Sequence, residues 1–150
     1  MSNILISCAQ EHFGEHITLD GYFCNSMLLN DEKNVFDTIN NLPEILGMKK
    51  LSKPEVYFAK GNSIKDPGGW TGFVVIEESH ISVHTFPAIG FVSIDVYTCR
   101  NGLKTQQITK YFGECFGIQE FEVNFIKRGL KFPEAVRHMI SPQAITNQNL

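Results

Sequence analysis

Gly72-Phe73-Val74-Val75-Ile76-Glu77-Glu78-Ser79-His80-Ile81-Ser82-Val83-His84-Thr85-Phe86 is the stretch that decides the fold. Gly72 to Ile76 is dense in β-branched and aromatic residues, the composition of a strand. His80 to Phe86 alternates, with Ile81 and Val83 on one face and His80, Ser82 and His84 on the other. Ser79 therefore falls at a turn between two rigid strands. Working outward, Phe91 to Thr98 alternates again, setting Phe91, Ser93, Asp95 and Tyr97 opposite Val92, Ile94, Val96 and Thr98. Ile17 to Phe23, Val56 to Phe58 and Phe121 to Ile126 read as further strands. Lys60 to Gly69, with Gly61, Asn62, Asp66, Pro67, Gly68 and Gly69, is a loop.

Two segments carry helical periodicity. Asn30-Asp31-Glu32 opens one, with carboxylates near the positive end of the helix dipole. Its apolar stripe is Val35, Phe36, Ile39 and Leu42, which Pro43 is expected to kink or stop. Thr105 to Phe116 is the second: Thr105 is the expected cap, Ile108, Tyr111, Phe112 and Cys115 form the apolar side, and Gly117 ends it. The tail from Ser141 to Leu150 is polar and expected to fray. Short strands with tight turns and two helices predict an α+β fold, an antiparallel β-sheet covered on one face by helices in a two-layer sandwich. Strands such as Gly72 to Ile76 are apolar on both sides, so a one-sided sheet leaves a wide apolar patch. A second copy packing sheet to sheet would cover it, and a homodimer is expected.

The 150 residues are expected to form one domain, 43% hydrophobic and 19% charged. A net charge of −3 gives no sign of a nucleic-acid partner, and no apolar run reaches the length of a membrane span. Met1 to Cys8 lacks a positive n-region, so a cytoplasmic address is expected. Cys8, Cys24, Cys99 and Cys115 form no Cys-x-x-Cys pair and read as free thiols. Three of them read as small buried hydrophobes; Cys99 is the exception. His80 and His84 would share a strand face, but no third ligand of suitable spacing accompanies them, so no metal is expected. Gly68-Gly69 is followed by no Gly-Lys-Ser/Thr and reads as a plain turn.

The chemistry lies in Glu78-Ser79-His80, His84 and Cys99. Backbone scission at a serine requires its hydroxyl to attack the preceding carbonyl, here that of Glu78, turning an amide into an ester. The fold must strain that bond and stabilise the oxyanion. Removal of the Ser79 α-proton then eliminates the ester, and hydrolysis leaves a pyruvoyl group on the new N-terminus. His84 is a suited proton carrier, because imidazole changes charge near neutral pH. A pyruvoyl ketone forms a Schiff base with an amine and withdraws electrons as carbon dioxide departs. Cys99 is then the candidate proton donor to carbon. Taken alone, His84 reads as a structural histidine and Cys99 as core.

Glu78-Ser79-His80-Ile81-Ser82-Val83-His84-Thr85 and Asp95-Val96-Tyr97-Thr98-Cys99, with Gly14-Glu15-His16, Leu28-Leu29-Asn30-Asp31 and Ile126-Lys127-Arg128-Gly129, resemble the small prokaryotic S-adenosylmethionine decarboxylases. These are pyruvoyl enzymes of polyamine (spermidine) synthesis. The resemblance runs from about Gly14 to Gly129. It implies cleavage between Glu78 and Ser79 into residues 1–78 and 79–150, with Ser79 becoming the covalent pyruvoyl cofactor and no pyridoxal phosphate. It further implies His84 as processing acid/base, Cys99 as catalytic proton donor, Thr71 as processing hydroxyl, and sheet-to-sheet homodimers of cleaved protomers.

There are two departures. Where the family reads His-Thr-Trp-Pro-Glu, this chain reads His84-Thr85-Phe86-Pro87-Ala88, and Ala88 cannot grip ribose hydroxyls. The loop before Thr71 is also longer, leaving Phe86, Phe58 and Trp70 as candidates for substrate contact. The leading expectation is decarboxylation of S-adenosylmethionine. The rivals are the same chemistry on arginine or ornithine, and an unprocessed, non-catalytic binding or regulatory homologue.

Overall fold

A computed structural model describes residues 11–140; Cys8, the rest of the N-terminal start and the tail from Ser141 lie outside them. Along the chain run β1 (Gly14–Tyr22), the short α1 (Ser26–Leu29), α2 (Glu32–Ile45), β2 (Glu55–Ala59), β3 (Gly69–Ile76), β4 (Ser79–Phe86), β5 (Phe91–Thr98), α3 (Thr105–Phe116), β6 (Glu120–Arg128) and α4 (Phe132–Ile140). The six strands form one sheet in the order β2-β3-β4-β5-β1-β6, with every neighbouring pair antiparallel.

The expected two-layer α+β architecture is the one observed. Alternation sends Ile17, Leu19, Val74, Ile81, Val83, Ile94 and Val96 under the helices, where they meet Val35, Ile39 and Leu42 of α2 and Ile108, Phe112 and Phe116 of α3. Each such fully buried side chain contributes about 1.5–3 kcal/mol. The layers approach closely at Gly72, where a Cβ would stand 2.9 Å from the Ile39 Cδ1. Among the described residues, α2 and α3 both pack on this buried face, and the opposite face is left open. It exposes Phe73 (41%) and Val75 (36%) beside His80, Tyr97 and His16 of neighbouring strands.

Several local expectations are corrected. Pro43 does not stop α2, which continues to Ile45. Its missing N–H removes one bond near the end of the helix, and the next turn still closes through Leu46 N–H to the Leu42 carbonyl at 3.0 Å. Thr105 is the first helical residue of α3, not its cap; Lys104 holds that position and makes no side-chain capping bond. Two helices are expected from periodicity, yet the short α1 and α4 form as well, the latter with Phe132 edge-on to Phe13 at 5.0 Å. Of the cysteines read as buried hydrophobes, Cys24 fits, and burial pushes its thiol up to about 11. Cys115 is only half-buried, its thiol beside the Thr38 and Tyr111 hydroxyls.

Candidate active site

Ser79 opens β4, opposite Ile76 of β3 and Thr98 of β5. The two-residue turn at Glu77-Glu78 is anchored from outside by Glu77 N–H donating to the Lys49 carbonyl at 2.9 Å. Ser79 has a φ of +150° and is, with Phe23, one of two non-glycine residues at positive φ among those described. Backbone held in so sparsely populated a region costs about 1–3 kcal/mol. One peptide away, the Glu78 carbonyl accepts a 2.8 Å hydrogen bond from the Cys99 backbone N–H. The bond expected to break is thus flanked by a strained residue and by a donor on its carbonyl oxygen. Glu78 Oε2 is buried with no hydrogen-bond partner among the described residues. Cys99 is a partly buried free thiol directly after β5.

Thr71 and His84 come together elsewhere. They face each other across β3 and β4, with Thr71 Oγ1 3.2 Å from His84 Nδ1, so the hydroxyl donates when that nitrogen is unprotonated. Both lie on the open face. His84 follows Ser79 by five residues on one uninterrupted strand, which at about 3.3 Å per residue is about 16 Å. Within one chain the sequence-predicted residues therefore divide into two half-sites: Glu78, Ser79 and Cys99 at one end of β4, Thr71 and His84 toward the other.

The three aromatic candidates also separate. Phe86 lies on the open face, stacked on Phe91 at 5.5 Å, with Tyr22 5.3 Å beyond. Together with Asn62, Lys65, Asp66, Pro67 and Ile89 these rings line a cavity of about 470 Å³. Trp70 points the other way, packing against the core and donating its indole N–H to the Asn30 carbonyl at 3.1 Å. Phe58 meets Trp70 edge-on at 5.1 Å and, with Ala88, borders a second hollow of about 440 Å³. The extended loop before β3 separates the two spaces.

Other polar groups carry contacts that their place in the sequence motifs does not reveal. On the open face His16 Nε2 lies 2.7 Å from Asp95 Oδ1, and the Arg128 guanidinium sits 4.7 Å from the Tyr97 ring centroid. His80 stacks on Phe73 at 5.3 Å and meets Tyr97 edge-on at 5.7 Å. On the helix side the Glu15 carboxylate is buried against the loop that follows Cys99. The usable signal was parity: Glu15 is a charge on the inward side of a strand whose next inward residues are Ile17 and Leu19. Among the described residues no three His, Cys, Asp or Glu side chains converge as metal ligands would, and no helix is long and apolar enough to cross a membrane.

Comparison with known proteins places this geometry in context. The family profile described as S-adenosylmethionine decarboxylase matches residues 15–129. A protein of Syntrophomonas wolfei named S-adenosylmethionine decarboxylase proenzyme is 32% identical over 120 residues, covering 80% of this chain and 90% of the relative. Proteins of the same name are 30% identical in Clostridium tetani, over 84% of this chain and 95% of the relative, and 30% identical in Methanococcus maripaludis, over 80% and 93%. The crystal structure of the adenosylmethionine decarboxylase from Aquifex aeolicus superposes with a TM-score of 0.68 at 25% identity, covering 80% of this chain and 93% of that one.

Proposed function

The chain belongs to the S-adenosylmethionine decarboxylase family, and on that premise we propose that it is a self-processing, pyruvoyl-dependent decarboxylase acting on S-adenosylmethionine. The observation that carries the reading is the pairing of a strained Ser79 with a Glu78 carbonyl held at 2.8 Å by the Cys99 N–H. Attack by Ser79 Oγ on that carbonyl carbon places negative charge on its oxygen, where the Cys99 amide already points. One such donor is worth about 10²–10³ in rate. Scission relieves the unfavourable φ of Ser79, so strain and stabilisation favour the same step.

Proton transfer needs a base within hydrogen-bond reach of Ser79, and His84 of the same chain is about 16 Å away. A second copy resolves this. In an isologous pairing of the open faces whose two-fold axis reverses the strand direction, each Ser79 end lies over the partner's Thr71–His84 end, twice per dimer. Phe73 and Val75, exposed on that face, would be covered by the same contact. In this arrangement Thr71 and His84 pass a proton for processing, Cys99 delivers one to carbon during turnover, and the aromatic cavity around Phe86 borders the substrate. The pyruvoyl group derived from Ser79 supplies a ketone that binds the substrate amine and takes up electron density as carbon dioxide leaves. The residues at the Ser79 end suit such a group: Cys99, partly buried, bonds the neighbouring Glu78 carbonyl through its backbone N–H, and Glu78 Oε2 is left without a protein partner there.

Intact mass is the first test: purified protein is expected as fragments 1–78 and 79–150, the second with a blocked terminus reducible by hydride. Carbon dioxide release from S-adenosylmethionine, arginine and ornithine then assigns the substrate. The basic amino acids are the second reading, on the ground that Ala88 offers no carboxylate in the hollow it borders. A full-length chain after long incubation would overturn the processing reading. Release from arginine alone would overturn the substrate.

A further inference from the structure

We propose that Glu15 is a positioning residue for Cys99, holding both the thiol and the backbone amide of that residue in place through the loop that follows it. This rests on the reading of Cys99 given above. Glu15 sits at the start of β1 on the helix-facing side and is only 5% exposed. A carboxylate so placed is costly unless its oxygens are hydrogen-bonded. Its bonds all converge on one end of the sheet. Oε2 accepts from the N–H groups of Gly102 at 3.0 Å and Leu103 at 2.8 Å, and Oε1 lies 3.2 Å from His12 Nε2. The His12 carbonyl in turn accepts from Asn101 Nδ2 at 3.3 Å.

The same strand also meets the backbone of Cys99 itself. A Cβ on Gly14 would stand 2.5 Å from the Thr98 carbonyl oxygen and 3.1 Å from the Cys99 Cα, so β1 and the Thr98–Cys99 backbone are in direct contact. Thr98 Oγ1 accepts from the Arg100 N–H at 3.0 Å, fixing the first residue of the loop. Consecutive residues of β1 therefore act on Cys99 and on the loop behind it: Gly14 by contact with the Thr98–Cys99 backbone, and Glu15 by charge-assisted bonds to Gly102 and Leu103, which are roughly twice as strong as neutral ones. A neutral residue could close this loop without burying a charge. A proton donor and an oxyanion donor on one residue need placement to about 0.5 Å, which a tight clamp supplies.

The test compares Glu15→Ala and Glu15→Gln with wild type. Displacement of about 1 Å at a reacting group can cost about 10²-fold. Glu15→Ala is thus expected to lengthen the self-cleavage half-time and to lower kcat by roughly tenfold to a hundredfold, with KM little changed. Glu15→Gln keeps an acceptor oxygen for Gly102 and Leu103 and is expected to recover most of both rates. A readout independent of cleavage is iodoacetamide labelling of Cys99, followed by peptide mass in an uncut Ser79→Ala background. Glu15→Ala is expected to speed it several-fold while Cys24 and Cys115 label as before. Unchanged Cys99 labelling with wild-type kcat and cleavage would overturn the proposal, as would equal acceleration at Cys24, Cys99 and Cys115, which marks a merely structural role. Should Glu15→Ala not fold, Glu15→Asp, with the charge on a shorter arm, takes its place under the same criteria. A wild-type chain that never cleaves would sink the processing reading, yet the labelling would still decide the clamp.

Discussion

A mixing experiment tests the proposed division of the site between two copies. Ser79 and His84 are the ends of a five-residue step along β4, about 16 Å, whereas proton transfer requires about 3 Å. No side-chain rotation spans that gap. Ser79→Ala alone and His84→Ala alone should both remain uncut. When the two are co-expressed in equal amounts with different affinity tags, random pairing makes about half of the dimers mixed. Each mixed dimer holds one competent site, with Ser79 from the His84→Ala chain and His84 from the Ser79→Ala chain. About half of the His84→Ala chains should therefore be cleaved, and none of the Ser79→Ala chains. Intact mass of the doubly purified species reads this directly, and there every His84→Ala chain should be cut. Mixed dimers that stay wholly intact would refute the shared site, as would cleavage of His84→Ala on its own.

Thr71→Val should slow processing by about 10²-fold or more, and Thr71→Ser should restore it, since only the hydroxyl beside His84 is at stake; equal rates in both variants would remove Thr71 from the reaction. Gly14→Ala should lower stability by about 1–3 kcal/mol, because its methyl meets backbone that cannot step aside; denaturant midpoints check this. Phe112→Ala empties a fully buried position between α3 and the sheet, with an expected loss of about 3–5 kcal/mol measured in the same way. Burial, then the neighbouring His16 and Arg128, hold the His80 imidazole below its ordinary value against the pull of Asp95. The unfolded chain takes up a proton near pH 6.5 and the folded chain only at lower pH. Stability is therefore full above that point and falls as pH drops through the window beneath it. Urea midpoints should fall between about pH 7.5 and 5.5 more steeply in wild type than in His80→Gln; equal slopes would refute the assignment.

The sheet was legible because its strands alternate without interruption: β4 and β5 carry inward Ile81, Val83, Ile94 and Val96 at every second position. The ends of elements were less legible. Pro43 stands near enough to the end of α2 that its lost bond removes little, and Thr105 competes with a loop already turned by Glu15. The α4 helix escaped notice because Pro133 follows its first residue and its side chains are largely exposed, leaving little burial pattern to read. The candidate residues were readable as residue types, but their geometry was not. A spacing of five is silent until the backbone is known to be extended, and only then do Ser79 and His84 become opposite ends of one rod. The inward charge at Glu15 could have been seen from parity alone; its partners, 87 and 88 residues further on, could not.

The order of the sheet bears on what the proposed nick after residue 78 would do to the molecule. Of the described strands, β1, β2 and β3 precede that point and β4, β5 and β6 follow it. In the sheet β1 is threaded between β5 and β6, and β3 lies beside β4. The two peptides are thus interwoven. Parting them means drawing β1 out from between two ladders, of seven pairs with β5 and nine with β6, and stripping the helices from the face beneath. If the chain is cut as proposed, it would stay one body until it unfolds, and the new terminus would stay where the uncut fold had set it.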